Sequence, residues 1–150
     1  MFRHLIRLML ICALGTAFGA VALTPAAVAQ ESPVITASLT GNATLVAKGA
    51  AVDVEVLYRC SAEFPELISD ASINVFDMTQ RVGGGRLATG SGSGTGNLVC
   101  DGAEHVTVDR VIADGDFAFK KGDAVARGVA IICDSSSCTF FSFSGTVRIR

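Results

Sequence analysis

Charge is scarce in this chain. Charged residues make up 17% of the 150, against roughly 25% in an average globular protein, which excludes a disordered polyelectrolyte. Neither sign dominates: 12 Lys and Arg face 14 Asp and Glu, a formal net charge of −2. That balance removes the electrostatic case for nucleic-acid binding. Tryptophan is absent and tyrosine occurs once. No stretch beyond residue 30 sustains an apolar period of 3.6, so a helical fold is excluded as well.

Hydrophobic residues nevertheless make up 50% of the chain, and part of that lies in an amino-terminal address. Arg3, His4 and Arg7 form a basic start, Leu8 to Leu23 carries no charge, and Ala27-Val28-Ala29 supplies a small-x-small pattern, which is the layout of a secretory signal peptide. Cleavage is expected between Ala29 and Gln30. The apolar run is broken by Gly15, Thr16 and Gly19 and is shorter than the roughly 20 residues that span a bilayer. Cys12 follows the bulky Ile11 inside that run, which excludes it as a lipidated residue. The expected mature chain, residues 30–150, is one domain with no membrane span.

Loss of Cys12 leaves Cys60, Cys100, Cys133 and Cys138. An even count in an exported chain reads as disulfides, and four cysteines allow three pairings. Cys133 and Cys138 flank the polar run Asp134-Ser135-Ser136-Ser137, a natural hairpin bridge, which leaves Cys60 for Cys100. Zinc knuckles of the C-x2-C type are missing, and neither metal nor cofactor is expected.

The mature sequence alternates with period two. Val52, Val54, Val56, Tyr58 and Cys60 share one face of a strand over Ala51 to Cys60, with Asp53, Glu55 and Arg59 on the other. Further strands are expected over Pro33 to Thr40, ending at Gly41-Asn42, and over Ser72 to Thr79, where Ile73 and Val75 oppose Phe76 and Met78. Glu104 to Ile112 follows, with Val106 and Val108, and Ala124 to Cys133 and Thr139 to Arg150 form a closing hairpin. Turn signals recur at Gly49, Pro65, Asp101-Gly102, Asp114-Gly115 and Lys121-Gly122-Asp123. Gly83 to Gly96, with seven glycines in fourteen residues, reads as a loop rather than a Gly-broken edge strand around Arg86 to Thr89. The pattern is that of an all-β, immunoglobulin-like antiparallel sandwich of about seven strands with two disulfides.

Candidate chemistry is thin. His105 is the single histidine after cleavage, so a Ser-His-Asp site would need it as the base. The glycine run never places Ser midway in G-x-S-x-G. Gly83-x-Gly85-x-x-Ala88 matches a dinucleotide fingerprint only superficially, since no helix follows to bind a pyrophosphate. Asp114-Gly115-Asp116 reads as a β-turn rather than a calcium loop. Asn42-Ala43-Thr44 is a glycosylation sequon expected to stay bare. A carboxylate-dependent hydrolase would need two of Asp101, Glu104, Asp109, Asp114 and Asp116 to converge in one pocket. Of Phe140, Phe141 and Phe143, Phe140 is expected outside and the other two inside.

Tyr58-Arg59-Cys60 and, forty residues on, Cys100-Asp101-Gly102-Ala103-Glu104-His105 resemble small secreted immunoglobulin-like domains of actinobacteria. The resemblance supports Cys60 with Cys100 and implies a fold and a compartment, but no activity. The late C-x4-C pair, Cys133 and Cys138, is similar to that of the neocarzinostatin-like apoproteins, which hold a chromophore between loops. Their other bridge closes a much shorter loop, so that likeness is partial. The reading is a secreted non-enzymatic binding or structural module of the cell envelope or medium. The alternative is a carrier of a small apolar ligand in a cleft.

Overall fold

The structure, a computed structural model, describes residues 33–61 and 68–150. The expected signal peptide, its Ala29/Gln30 cleavage point and the turn at Pro65 lie outside the described residues. Seven strands follow in order: β1 (Val34–Val46), β2 (Ala51–Ser61), β3 (Asp70–Gly83), β4 (Arg86–Gly92), β5 (Glu104–Ala113), β6 (Gly122–Cys133) and β7 (Cys138–Ile149). A single 3-10 turn, Ala47–Gly49, joins β1 to β2. Among the described residues no helix is long and apolar enough to cross a membrane.

The expectation of two separate sheets needs correction. Pairing runs β1-β2-β5-β4-β3-β6-β7 and closes into a barrel. Two strands cause the closure by changing partners along their length. β1 does not stop at Thr40. Its register against β2 shifts between Leu39 and Ala43, where Gly41 takes φ +84°, a conformation only glycine adopts freely. Beyond that bulge Asn42 and Ala43 pair in parallel with Arg148 and Ile149. β4 lies against β3 from Arg86 to Gly90, then against β5 from Gly90 to Gly92.

β4 also corrects the loop expected over Gly83 to Gly96. Glycine is unfavourable in a strand for its entropy, but here it admits close neighbours. A Cβ on Gly90 would lie 2.9 Å from the Phe119 ring. Leu87 and the glycine-rich strand therefore bring little side chain to the core, while Phe119, from the connection before β6, fills the space and is fully buried.

The β2 face expected to be inward is inward: Val52, Val54, Val56, Tyr58 and Cys60 are all buried. Ile73, Val75, Ala126, Ala130, Ile132, Phe143, Val147 and Ile149 meet them. In β3 the split between Ile73/Val75 and Phe76/Met78 is changed by a register irregularity between Asn74 and Asp77. One extra residue in the bulge returns Met78 to the inward face with Ile73 and Val75 and leaves Phe76 exposed. Phe143 is buried and Phe140 exposed as expected, but Phe141 is 38% exposed, because β1 pairs with β7 only at Arg148 and Ile149 and so gives Phe141 no strand neighbour on that side. Cys60 joins Cys100 and Cys133 joins Cys138. Two bridges in a domain this small are the pattern of an oxidising, extracellular setting.

Candidate functional site

β5 breaks the rule that β2 obeys. Its alternation offers one face with Val106, Val108 and Ile112 and another with His105, Thr107, Asp109 and Val111. Hydrophobicity alone would turn the valines inward. Instead Val106 is 59% and Val108 47% exposed, and Asp109 is fully buried. The register against β2 fixes this, because Val54 and Val56 stand opposite Asp109 and Thr107, and directly opposed residues share a face. Leu57 pairs with Val106 and Glu55 with Val108, so the outer surface of β2 and β5 carries an apolar strip between charges. Asp53 and Arg110 close one end with two hydrogen bonds of 2.7 and 2.9 Å. A shallow depression of about 170 Å³ at the other end is lined by Thr36, Ser38, Leu57, Tyr58, Arg59 and Glu104.

The buried Asp109 occupies a seam. β4 reaches β5 only at Val111 to Ala113, so the remainder of β5 has no ladder on that side. Residues 93–98 fill the interval. Thr95 pairs with Ile73 of β3, Leu98 N–H donates to Ala71, and Thr95 Oγ1 donates to the Val108 carbonyl at 2.9 Å. The Asp109 carboxylate accepts Val75 N–H at 2.6 Å and Gly94 N–H at 3.2 Å, joining β5, β3 and the covering segment where no strand does. Burial pushes its carboxyl above the ordinary 3.8, against the opposing pull of backbone hydrogen bonds from Val75, Gly94 and Arg110. Asn74 Oδ1, in the same bulge of β3, is buried without a hydrogen-bond partner.

His105 stands at the mouth of this seam. Its Nε2 lies 2.8 Å from Asp101 Oδ1, which also accepts Ala103 N–H at 2.9 Å. These contacts, the His105 bond first, hold the Asp101 carboxyl below its usual range. The imidazole stacks on Tyr58 with centroids 5.6 Å apart, and Tyr58 Oη accepts Val99 N–H at 3.1 Å. Arg59 Nε donates to the Gly102 carbonyl at 2.6 Å. All of this braces the turn that carries Cys100 to Cys60. Among the described residues no serine hydroxyl is hydrogen-bonded to His105.

No protein-family model matches the chain, and no curated protein matches it significantly.

The five acids do not converge. Asp101 precedes β5, Glu104 is its first residue, and Asp114 and Asp116 follow it, so the length of the strand, roughly 30 Å at the usual rise, separates the two pairs. Asp109 lies midway and points inside. Asp114 accepts the Thr89 hydroxyl at 2.9 Å and so pins a turn. Asn42 of the sequon directs Nδ2 to Glu55 at 3.3 Å. Among the described residues no three metal-ligating side chains cluster. Sequence reasoning missed Gln80, which is buried and grips Lys120 from both sides, through Nε2 to its carbonyl and Oε1 to its N–H, each at 2.7 Å. An isolated polar residue at an inward strand position was the available signal.

Proposed function

We propose that the chain is a secreted, non-enzymatic binding or structural module of the cell envelope or medium. The observation that carries this reading is the outward apolar strip of β5, held there although the opposite face must bury an aspartate. A strand that breaks its own hydrophobic pattern marks a place where something other than core packing selects the residues. The immunoglobulin-like lineage is supported by strand order. β1-β2-β5-β4 and β3-β6-β7 correspond to the two runs of a constant-type domain, joined here at both margins. Fold alone names no partner; the strip is what supports a contact on this face.

Hydrogen exchange of the mature protein, alone and with an envelope fraction of its host, tests this. Slowed exchange confined to Glu104–Ala113 and the facing residues of β2 is expected. Unchanged exchange, or hydrolysis of the added material that disappears in His105→Ala while the fold persists, overturns the reading.

A second reading, carriage of a small apolar ligand, is favoured by a cavity of about 340 Å³ at the end of the seam, lined by Ile68, Ser69, Asp70, Ala71, Asn97, Leu98 and Cys100. Its volume sits at the lower end of ligand pockets and its lining mixes polar with apolar groups. Failure of ligand-free protein to take up a hydrophobic dye would count against it.

A further inference from the structure

We infer that the end of the barrel bearing the β3–β4 hairpin is a docking surface for an anionic phospholipid membrane. The inference goes beyond the β5 strip and uses none of its residues.

The small net charge conceals a division along the barrel. Beyond residue 30 the chain has ten Lys and Arg, and seven of them gather at one end. Lys48 lies in the β1–β2 turn, which rests on the β5–β6 connection through Phe119 N–H to the Gly49 carbonyl at 2.9 Å. Lys120 and Lys121 belong to that connection, Arg81 and Arg86 to the hairpin, and Arg148 and Arg150 stand at the end of β7. All seven are exposed. Of the acids at this end, Asp123 is ion-paired to Arg148 at 2.7 Å, Asp114 accepts the Thr89 hydroxyl, and Asp116 is exposed. The opposite end carries Asp70, Asp101, Glu104 and Asp134, so a negatively charged surface attracts the first end and repels the second.

The hairpin gives the basic end its shape. The ladder from β3 to β6 ends at Thr79, and that from β4 to β5 begins at Gly90. Between them, among the described residues, Arg81–Leu87 pairs only with itself and projects beyond both neighbours. Its base is fixed. Gln80 holds Lys120 from both sides, the Thr89 carbonyl accepts Asp114 N–H at 3.1 Å, and Arg86 lies 5.0 Å from the centroid of the Phe117 ring. Gly84 and Gly85 turn the tip at φ +60° and +74°, leaving no side chain to hold the backbone off a surface. Leu87 stands opposite Arg81 and is 49% exposed. Directly opposed residues share a face, so the leucine and the arginine are presented together. Val125, opposite Thr79 on the same outer face, is also exposed. Cationic and aliphatic groups on one projection suit the boundary of a bilayer, where lipid phosphates take the cations and the acyl region takes the leucine. A soluble phosphate polymer would satisfy the cations and leave the leucine in water, and that contrast selects the membrane.

Co-sedimentation of the mature, oxidised protein with vesicles tests this, with circular dichroism confirming that each variant folds. Binding is expected to vesicles of phosphatidylglycerol and phosphatidylcholine in equal parts, not to phosphatidylcholine alone. It should fall steeply between about 0.05 M and 0.5 M salt. Arg81→Gln and Lys121→Gln should each weaken it roughly fivefold, the equivalent of the ~1 kcal/mol that a basic side chain gains at an anionic surface. Leu87→Ser should weaken vesicle binding roughly fivefold and leave binding of soluble polyphosphate unchanged. Arg127→Gln, midway along β6, should leave vesicle binding close to that of the parent. A protein that ignores anionic vesicles at the lower salt, or one weakened as much by Arg127→Gln as by Arg81→Gln, overturns the inference. Vesicle binding that Leu87→Ser does not weaken and polyphosphate abolishes would make the end a polyanion site and overturn the membrane assignment. Each of these failures leaves the reading of β5 in place.

Discussion

Replacing Asp109 by alanine removes the one acceptor that serves both Val75 N–H and Gly94 N–H. Each amide is then left without its partner inside the seam, at about 1–3 kcal/mol apiece. Release of a buried charge offsets part of that, so the net loss should be about 2–4 kcal/mol, a large fraction of the stability of a small domain. At about 4 °C per kcal/mol for a domain of this size, Tm should fall by roughly 8–16 °C. Asp109→Asn keeps one acceptor oxygen and should lose less. The pH dependence has a definite sign. Because burial raises this carboxyl above 3.8, the folded chain holds the proton to higher pH than the unfolded chain does. The group's contribution is therefore complete below the unfolded value and declines as pH rises through the folded one. Asp53, Asp101 and Asp134, whose carboxyls are lowered, give the opposite slope. Subtracting Asp109→Asn from the unmodified protein isolates the Asp109 term. With no tryptophan in the chain, far-UV circular dichroism in urea is the suitable assay. An Asp109→Ala variant within about 0.5 kcal/mol of the parent, or a difference from Asp109→Asn that grows with pH, would refute the reasoning.

The two bridges should differ in worth. On the chain-entropy model the forty-residue separation of Cys60 and Cys100 corresponds to about 4 kcal/mol and the five-residue separation of Cys133 and Cys138 to about 2, so paired Cys→Ala variants should rank in that order in urea. Gly128→Ala should cost about 1–3 kcal/mol by overpacking, because its Cβ would strike the Phe143 ring and lie 2.8 Å from the Asn74 carbonyl; adding Phe143→Leu should recover part of the loss in a calorimetric scan. Phe119→Ala should cost about 3–5 kcal/mol, and hydrogen exchange should show loosening on both sides of the ring, at Gly90 and at residues 114–121.

Much of the fold was legible because β2 has apolar residues on one face and charged residues on the other, leaving one choice of inside. The hairpin of β6 and β7 and its bridge were equally plain, since a short polar run separates two alternating segments. β5 was not legible. Period two shows that a strand has two faces, but only its register against β2 decides which is buried, and here the more hydrophobic face lost. β4 was hidden by glycines, whose low strand preference was outweighed by the close approach of Ile112 and Phe119. The bulge in β3 shifts Met78 by one position, a displacement that no local composition announces. The candidate site lies where these exceptions meet, at Asp109, the covering segment and the outward valines.

The parallel contact between β1 and β7 has a consequence for biogenesis. Ala43 meets Ile149, so the ring joins its first strand to its last, and pairings so distant along a chain form slowly. A chain emerging from its amino end has β1 waiting, half partnered, until β7 is available. Closure is a late event in folding, and β1 remains open to intermolecular mispairing until it occurs.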